Sequence, residues 1–113
     1  MAATTEAVLK HHIEAGMSRN IDAIIQDYTK DSILFTPTET YKGLDGIKAG
    51  FTAMWKMLTP EMAANLKLIK QEINGEYAYI LVSALPAIPF MGEMYHIRNG
   101  KILMQSVFVQ AGI

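Results

Sequence analysis

The stretch from Asn20 to Pro37, NIDAIIQDYTKDSILFTP, followed after a short turn-like link by YKGLDGIKAGF from Tyr41 to Phe51, decides how this chain folds. Ile21, Ile24, Ile25 and Tyr28 recur at helical spacing, so the first part predicts a short amphipathic helix. Asp31-Ser32 breaks that period. Ile33-Leu34-Phe35-Thr36 is then a β-prone run stopped by Pro37, which cannot donate to a ladder. Beyond Gly43 the apolar set Ile47, Phe51, Met54, Trp55 and Leu58 restores helical spacing, predicting a helix from about Leu44 to Leu58. The unit is helix–strand–helix with one common apolar side. Gly50 lies beside that apolar stripe, where it permits close approach to a strand.

Working outward, the 113 residues predict a single domain over 1–113, long enough to bury a core without a disulfide or metal. Cysteine is absent, which removes thiolate nucleophiles and Cys-based zinc sites. Ten basic and eleven acidic residues are dispersed along the chain, leaving no electrostatic footprint for nucleic acid. The N-terminal residues lack the basic start and apolar run of a signal peptide, and no apolar tract suits a spanning helix; a cytoplasmic protein with no membrane partner is expected. Half of the residues are hydrophobic and eight are Met. Two readings of that excess stand: an apolar cavity or subunit interface, or methionine as an adaptable core filler.

Upstream of the deciding stretch, Thr4 or Thr5 is expected to cap a helix running to about Met17, and Asn20 to cap the next. Val8, Leu9, Ile13 and Ala15 share a face of this first helix with His12 near its centre, whereas His11 falls at the flank near solvent. His12 is either a core histidine bonded to a backbone carbonyl or the polar centre of a pocket. Trp55 similarly either fills the core or lends an edge to a cavity.

Downstream, four strands are predicted over about 64–73, 76–85, 89–98 and 101–110, with Asn74-Gly75 and Asn99-Gly100 as two-residue hairpin turns. Alternation groups Ala78, Ile80, Val82 and Ala84 on one face. Pointing the same way as these, in this reading, are Phe90, Gly92, Met94 and His96, with Leu103, Gln105, Val107 and Val109. Glu93 then faces away from the pocket. The opposite face carries Tyr77, Tyr79, Leu81, Tyr95 and Ile97, apolar enough to predict a homodimer through the sheet's outer side.

The order of elements, with IDAIIxxYxxDSILFTP and YxGxxGIxxxF, resembles the nuclear transport factor 2-like superfamily, nearest its SnoaL-like branch with polyketide cyclases and ketosteroid isomerase. The resemblance covers about residues 5–110. It implies an α+β fold, a cone-shaped, curved, antiparallel-rich sheet of the cystatin-like barrel type, with three helices on one side enclosing a pocket. Set against the isomerases, this chain has Thr36 at the position of the catalytic carboxylate, Met94 at that of the protonated carboxylic acid and His12 at that of the oxyanion-donating tyrosine. Tyr28 retains a supporting tyrosine position, and Phe51 replaces another.

The expected pocket comprises His12, Tyr28, Thr36, Phe51, Trp55, Val82, Met94, His96, Gln105 and Val109, with no metal or cofactor. Its occupant is expected to be a small apolar molecule oriented by a few polar groups. The alternatives are an isomerase, cyclase or lyase using His12 as general acid or base, and a structural or dimerisation module in which the pocket is incidental.

Overall fold

A computed structural model describes residues 3–110. Helix α1 (Thr5–Met17) begins where the Thr4 hydroxyl accepts the Ala7 amide, and α2 (Ile21–Ile25) where the Asn20 side chain accepts that of Ala23, so both expected caps are used. Strand β1 (Tyr28–Phe35) leads through β2 (Thr40–Lys42), a short strand that the sequence reading did not place, into α3 (Gly43–Met57). A one-turn helix, α4 (Pro60–Ala64), capped by Thr59, adds a fourth helix to the three expected. Strands β3 (Leu66–Asn74), β4 (Tyr77–Ala84), β5 (Ile88–Arg98) and β6 (Lys101–Gln110) complete the chain.

The strands form one curved mixed sheet in the order β2-β1-β6-β5-β4-β3, antiparallel throughout except where β1 runs parallel to β6. At Asn99 (φ 52°) and Gly100 (φ 76°) both turn residues take positive φ, as Asn-Gly favours. The other hairpin is shifted by one residue: Asn74 pairs with Tyr77, so Gly75 (φ 61°) and Glu76 form its turn. Strand β3 is left as a free edge, carrying Lys67 and Lys70 and a register shift between Leu68 and Lys70.

The helices cover the concave face. Val8 and Leu9 of α1, Ile24 of α2, and Ile47 and Phe51 of α3 join Leu34, Ile80, Tyr95, Ile97 and Ile102 in one core. A Cβ on Gly50 would lie 2.8 Å from Leu34 Cδ2 and 2.9 Å from Tyr41 Cδ2, so the glycine does permit the close packing of α3 on β1 and β2. The Arg19 guanidinium reaches from the α1–α2 turn to the Trp55 carbonyl (3.1 Å) and the Leu58 carbonyl, satisfying the open C-terminal end of α3.

Candidate functional site

Cross-strand pairing sorts the two faces. One row runs Ile80–Glu93–Val107 and the next Ala78–Tyr95–Gln105–Leu34, all inward; the rows Tyr79–Met94–Ser106 and Tyr77–His96–Met104 face outward. The inward set of β5 is therefore Met91, Glu93, Tyr95 and Ile97, the reverse of the sequence expectation. Tyr95 and Ile97 are both 1% exposed and belong to the core rather than to an outer patch. Met94 is 42% exposed on the convex side. His96 also lies there, stacked on Tyr77 at 4.9 Å with Nε2 3.0 Å from a Glu76 carboxylate oxygen.

The physical reason is the space opposite α1. Tyr95 meets the His12 ring edge-on at 5.3 Å and fills the gap between helix and sheet, as Met94 would not with its outward direction. A register shift between His96 and Ile97 adds Leu103 to β6, so that Ile102 and Gln105 both turn inward. The hairpin itself carried a usable signal. Arg98 and Lys101 pair across it, and placing their charges in water puts His96 and Met94 on the same outer side by alternation.

Glu93 now sits at the centre of an inward polar network. Its Oε1 accepts the Tyr95 hydroxyl at 2.7 Å and the Gln105 amide at 2.7 Å. The Gln105 carbonyl in turn accepts the Tyr28 hydroxyl. Both bonds to Glu93 fall on one oxygen and leave Oε2 without a partner among the described residues. Burial raises the Glu93 carboxyl above its ordinary range, and the bonds from Tyr95 and Gln105 oppose that rise. Desolvation also lifts both tyrosines well above theirs, so they remain donors.

His12 stands beside this network, enclosed edge-on by Tyr28 (5.9 Å), Phe51 (5.6 Å) and Tyr95 (5.3 Å). Its Nδ1 is buried without a hydrogen-bond partner and lies 4.0 Å from Asp27 Oδ2. The expected exposure difference is present: the His12 side chain is 4% exposed and that of His11 48%. His11 Nδ1 holds both Asp27 oxygens, at 2.7 and 2.9 Å. Burial, then repulsion from His11, lowers the His12 pKa from 6.5 to about 4, so the ring is neutral at pH 7. Burial raises that of Asp27, partly offset by the His11 hydrogen bond.

Of the residues expected to share a pocket, His12, Tyr28, Phe51 and Gln105 come together at this apex, with Trp55 5.9 Å beyond Phe51. Val82 packs against the core on the inner face. Inward exposure along β6 rises from 0% at Gln105 through 6% at Val107 to 36% at Val109, near the end of the strand. Thr36 is consumed by its own turn, its hydroxyl donating to the Glu39 carbonyl at 2.9 Å and accepting the Glu39 amide at 3.1 Å. Sequence reading missed Glu93, Tyr95 and the His11–Asp27 pair. A cleft of about 310 Å³ lies apart from this apex, between α1 and β3 beside Lys10, Ile13, Leu68 and Gln71. Among the described residues no cluster of three or more His, Asp or Glu side chains is arranged to hold a metal ion.

The fold is the one shared by nuclear transport factor 2-like, SnoaL-like and cystatin-like-fold structures, α+β with one curved mixed sheet. Solved structures similar to it include an NTF-2-like protein of unknown function from Burkholderia xenovorans, 18% identical with a TM-score of 0.74 over 96% of this chain and 84% of that one. A SnoaL-like protein of unknown function from Burkholderia thailandensis is 13% identical, with a TM-score of 0.73 over 95% of each chain. A candidate polyketide cyclase from Sinorhizobium meliloti is 16% identical, with a TM-score of 0.73 over 90% of this chain and 94% of that one. No protein-family model and no curated protein matches the sequence. At these identities the likeness carries the fold and not the chemistry.

Proposed function

We propose that this protein binds a small, largely apolar molecule that enters at the Val109 rim and anchors a polar group at the inner network. The observation that carries this reading is Glu93, whose Oε1 is held by Tyr95 and Gln105 while Oε2 is left over on the concave face. The aromatic rings fill the apex, so the occupant lies nearer the mouth, among Trp55, Val82, Met91 and Val109.

A second reading, proton transfer in an isomerase, cyclase or lyase, is favoured by the raised Glu93 carboxyl, which suits a general acid or base. It moves the acid–base role from His12 to Glu93, because a ring with a pKa of about 4 lacks the imidazolium proton of a general acid at neutral pH and is a weak base. The convex face supports pairing of two copies, since Tyr77 (54%), Met94 (42%) and Phe108 (64%) are exposed together there. A cytoplasmic setting remains part of the proposal; no helix among the described residues is long and apolar enough to cross a membrane.

Trp55 is the only tryptophan, so its fluorescence reports on the rim. Titration with decalol, a non-absorbing bicyclic alcohol, should give a saturable change that weakens about tenfold in Glu93→Leu. No saturable change up to the solubility limit would overturn the reading.

A further inference from the structure

Counting donors and acceptors at the inner site narrows the chemistry of its occupant; this step rests on the binding reading above. Every phenol there has already given its proton: Tyr95 to Glu93 Oε1, and Tyr28 to the Gln105 carbonyl. Gln105 gives one amide proton to Glu93, and at 0% exposure it is sealed from anything entering the cone. What remains is the opposite kind of group. Glu93 Oε2 is an unpartnered acceptor, and two donors on the other oxygen favour its ionised form.

His12 contributes a second acceptor. A neutral imidazole carries one proton, on Nδ1 or on Nε2. With Nδ1 buried 4.0 Å from Asp27 Oδ2, a lone pair there would face a carboxylate oxygen, whereas an N–H would be attracted to it. The proton therefore sits on Nδ1, and Nε2 presents a lone pair that no described residue satisfies. Asp27 acts as the positioning residue for this tautomer, held in place by His11. Lys101 bears on the same carboxylate from β6, and its ammonium is engaged with the Gln26 carbonyl at 2.5 Å.

We infer that the molecule bound here is a hydroxyl donor, an alcohol, phenol or enol on an apolar frame, rather than a carbonyl acceptor. Two free acceptors, no free donor at the apex and two carboxylates flanking it would leave a ketone oxygen unpaired and would repel an anionic head group. A hydroxyl reaches Glu93 Oε2 or His12 Nε2 with its proton and leaves its apolar frame against Trp55 and Val82.

The test compares decalol with decalone, its ketone of the same shape, by Trp55 fluorescence near neutral pH, with the His12 tautomer read from side-chain nitrogen NMR of the free protein. The expected results are about tenfold or greater preference for the alcohol and an Nδ1–H tautomer that is lost in Asp27→Asn. Glu93→Gln, which supplies an amide donor in the carboxylate's place, should move the preference toward the ketone. Equal or tighter binding of decalone by the wild type, an unshifted ratio in Glu93→Gln, or an Nε2–H tautomer would each overturn the inference while leaving the binding reading standing. Failure of both probes to bind would overturn both.

Discussion

Strand β5 carries two polar–aromatic groupings one residue apart, and they obey different rules. On the concave side Glu93 and Tyr95 are closed in with Gln105, Tyr28 and His12. On the convex side His96 stacks on Tyr77 and meets Glu76, which Arg98 also holds, with Nε 3.1 Å from each carboxylate oxygen. Both contain a carboxylate, a histidine and a tyrosine. The Arg98 and His96 hydrogen bonds pull Glu76 down to about 2, whereas burial pushes Glu93 up. Outside, water and a guanidinium stabilise the charge; inside, only a few donors do, and a lost bond has no solvent replacement. The concave grouping is thus the one in which single substitutions register.

The largest expected effect follows from removing the shared amide. Gln105→Leu leaves the Tyr28 hydroxyl without its acceptor and takes one of two donors from Glu93, which should cost about 3 kcal/mol in denaturant unfolding. A loss no greater than that of an exposed substitution would show that the inner network is not closed to water.

His12→Leu works in the other direction. It removes an unpartnered buried nitrogen, so at neutral pH stability should be unchanged or about 1 kcal/mol higher, while binding is lost. Acid separates the two proteins further. The folded His12 value, about 4, is below the unfolded 6.5, so as pH falls through that window the unfolded chain takes up the proton first and the wild type loses up to about 3 kcal/mol. Glu93 and Asp27 are raised, so they gain stability as pH falls through their folded values and partly mask the loss. The difference between wild type and His12→Leu across pH isolates the histidine term.

The smallest effect on a single chain belongs to the convex face. Phe108→Asp should change unfolding by no more than about 0.5 kcal/mol, because the ring is 64% exposed. Sedimentation should nevertheless show a dimer in the wild type and a monomer in the variant. A wild type that is already monomeric at micromolar concentration would overturn the pairing proposal.

Helical spacing placed α1, α3 and the start of α2, but Tyr28, read as the last apolar position of that second helix, instead opens β1; the capping residues gave two helix starts, and the Asn99-Gly100 turn fixed its hairpin. His12 was also legible as an inward polar residue on an otherwise apolar helix face, whereas Tyr28 and Gln105 came from the positions that the family resemblance implied. The parity of β5 was not, because Phe90 and Met94 on one side are as apolar as Met91 and Ile97 on the other. Four ladders also carry shifts, between Tyr28 and Ile33, Leu68 and Lys70, Val82 and Ala84, and His96 and Ile97, and each shift re-aims the side chains beyond it. The pairing of His11 with Asp27 joins α1 to the turn between α2 and β1 through tertiary packing and leaves no local pattern to read.

The two margins of the sheet limit how copies of this chain can add to one another. Strand β2, only Thr40–Lys42, offers too short a run for another strand, and β3 is bent by an extra residue, Ile69, in its ladder with β4 and carries Lys67 and Lys70 along the edge. Growth by lateral strand addition, which repeats without end, is therefore discouraged at both margins. Contact through the broad convex surface is self-limiting, because two such surfaces placed together leave none for a third copy.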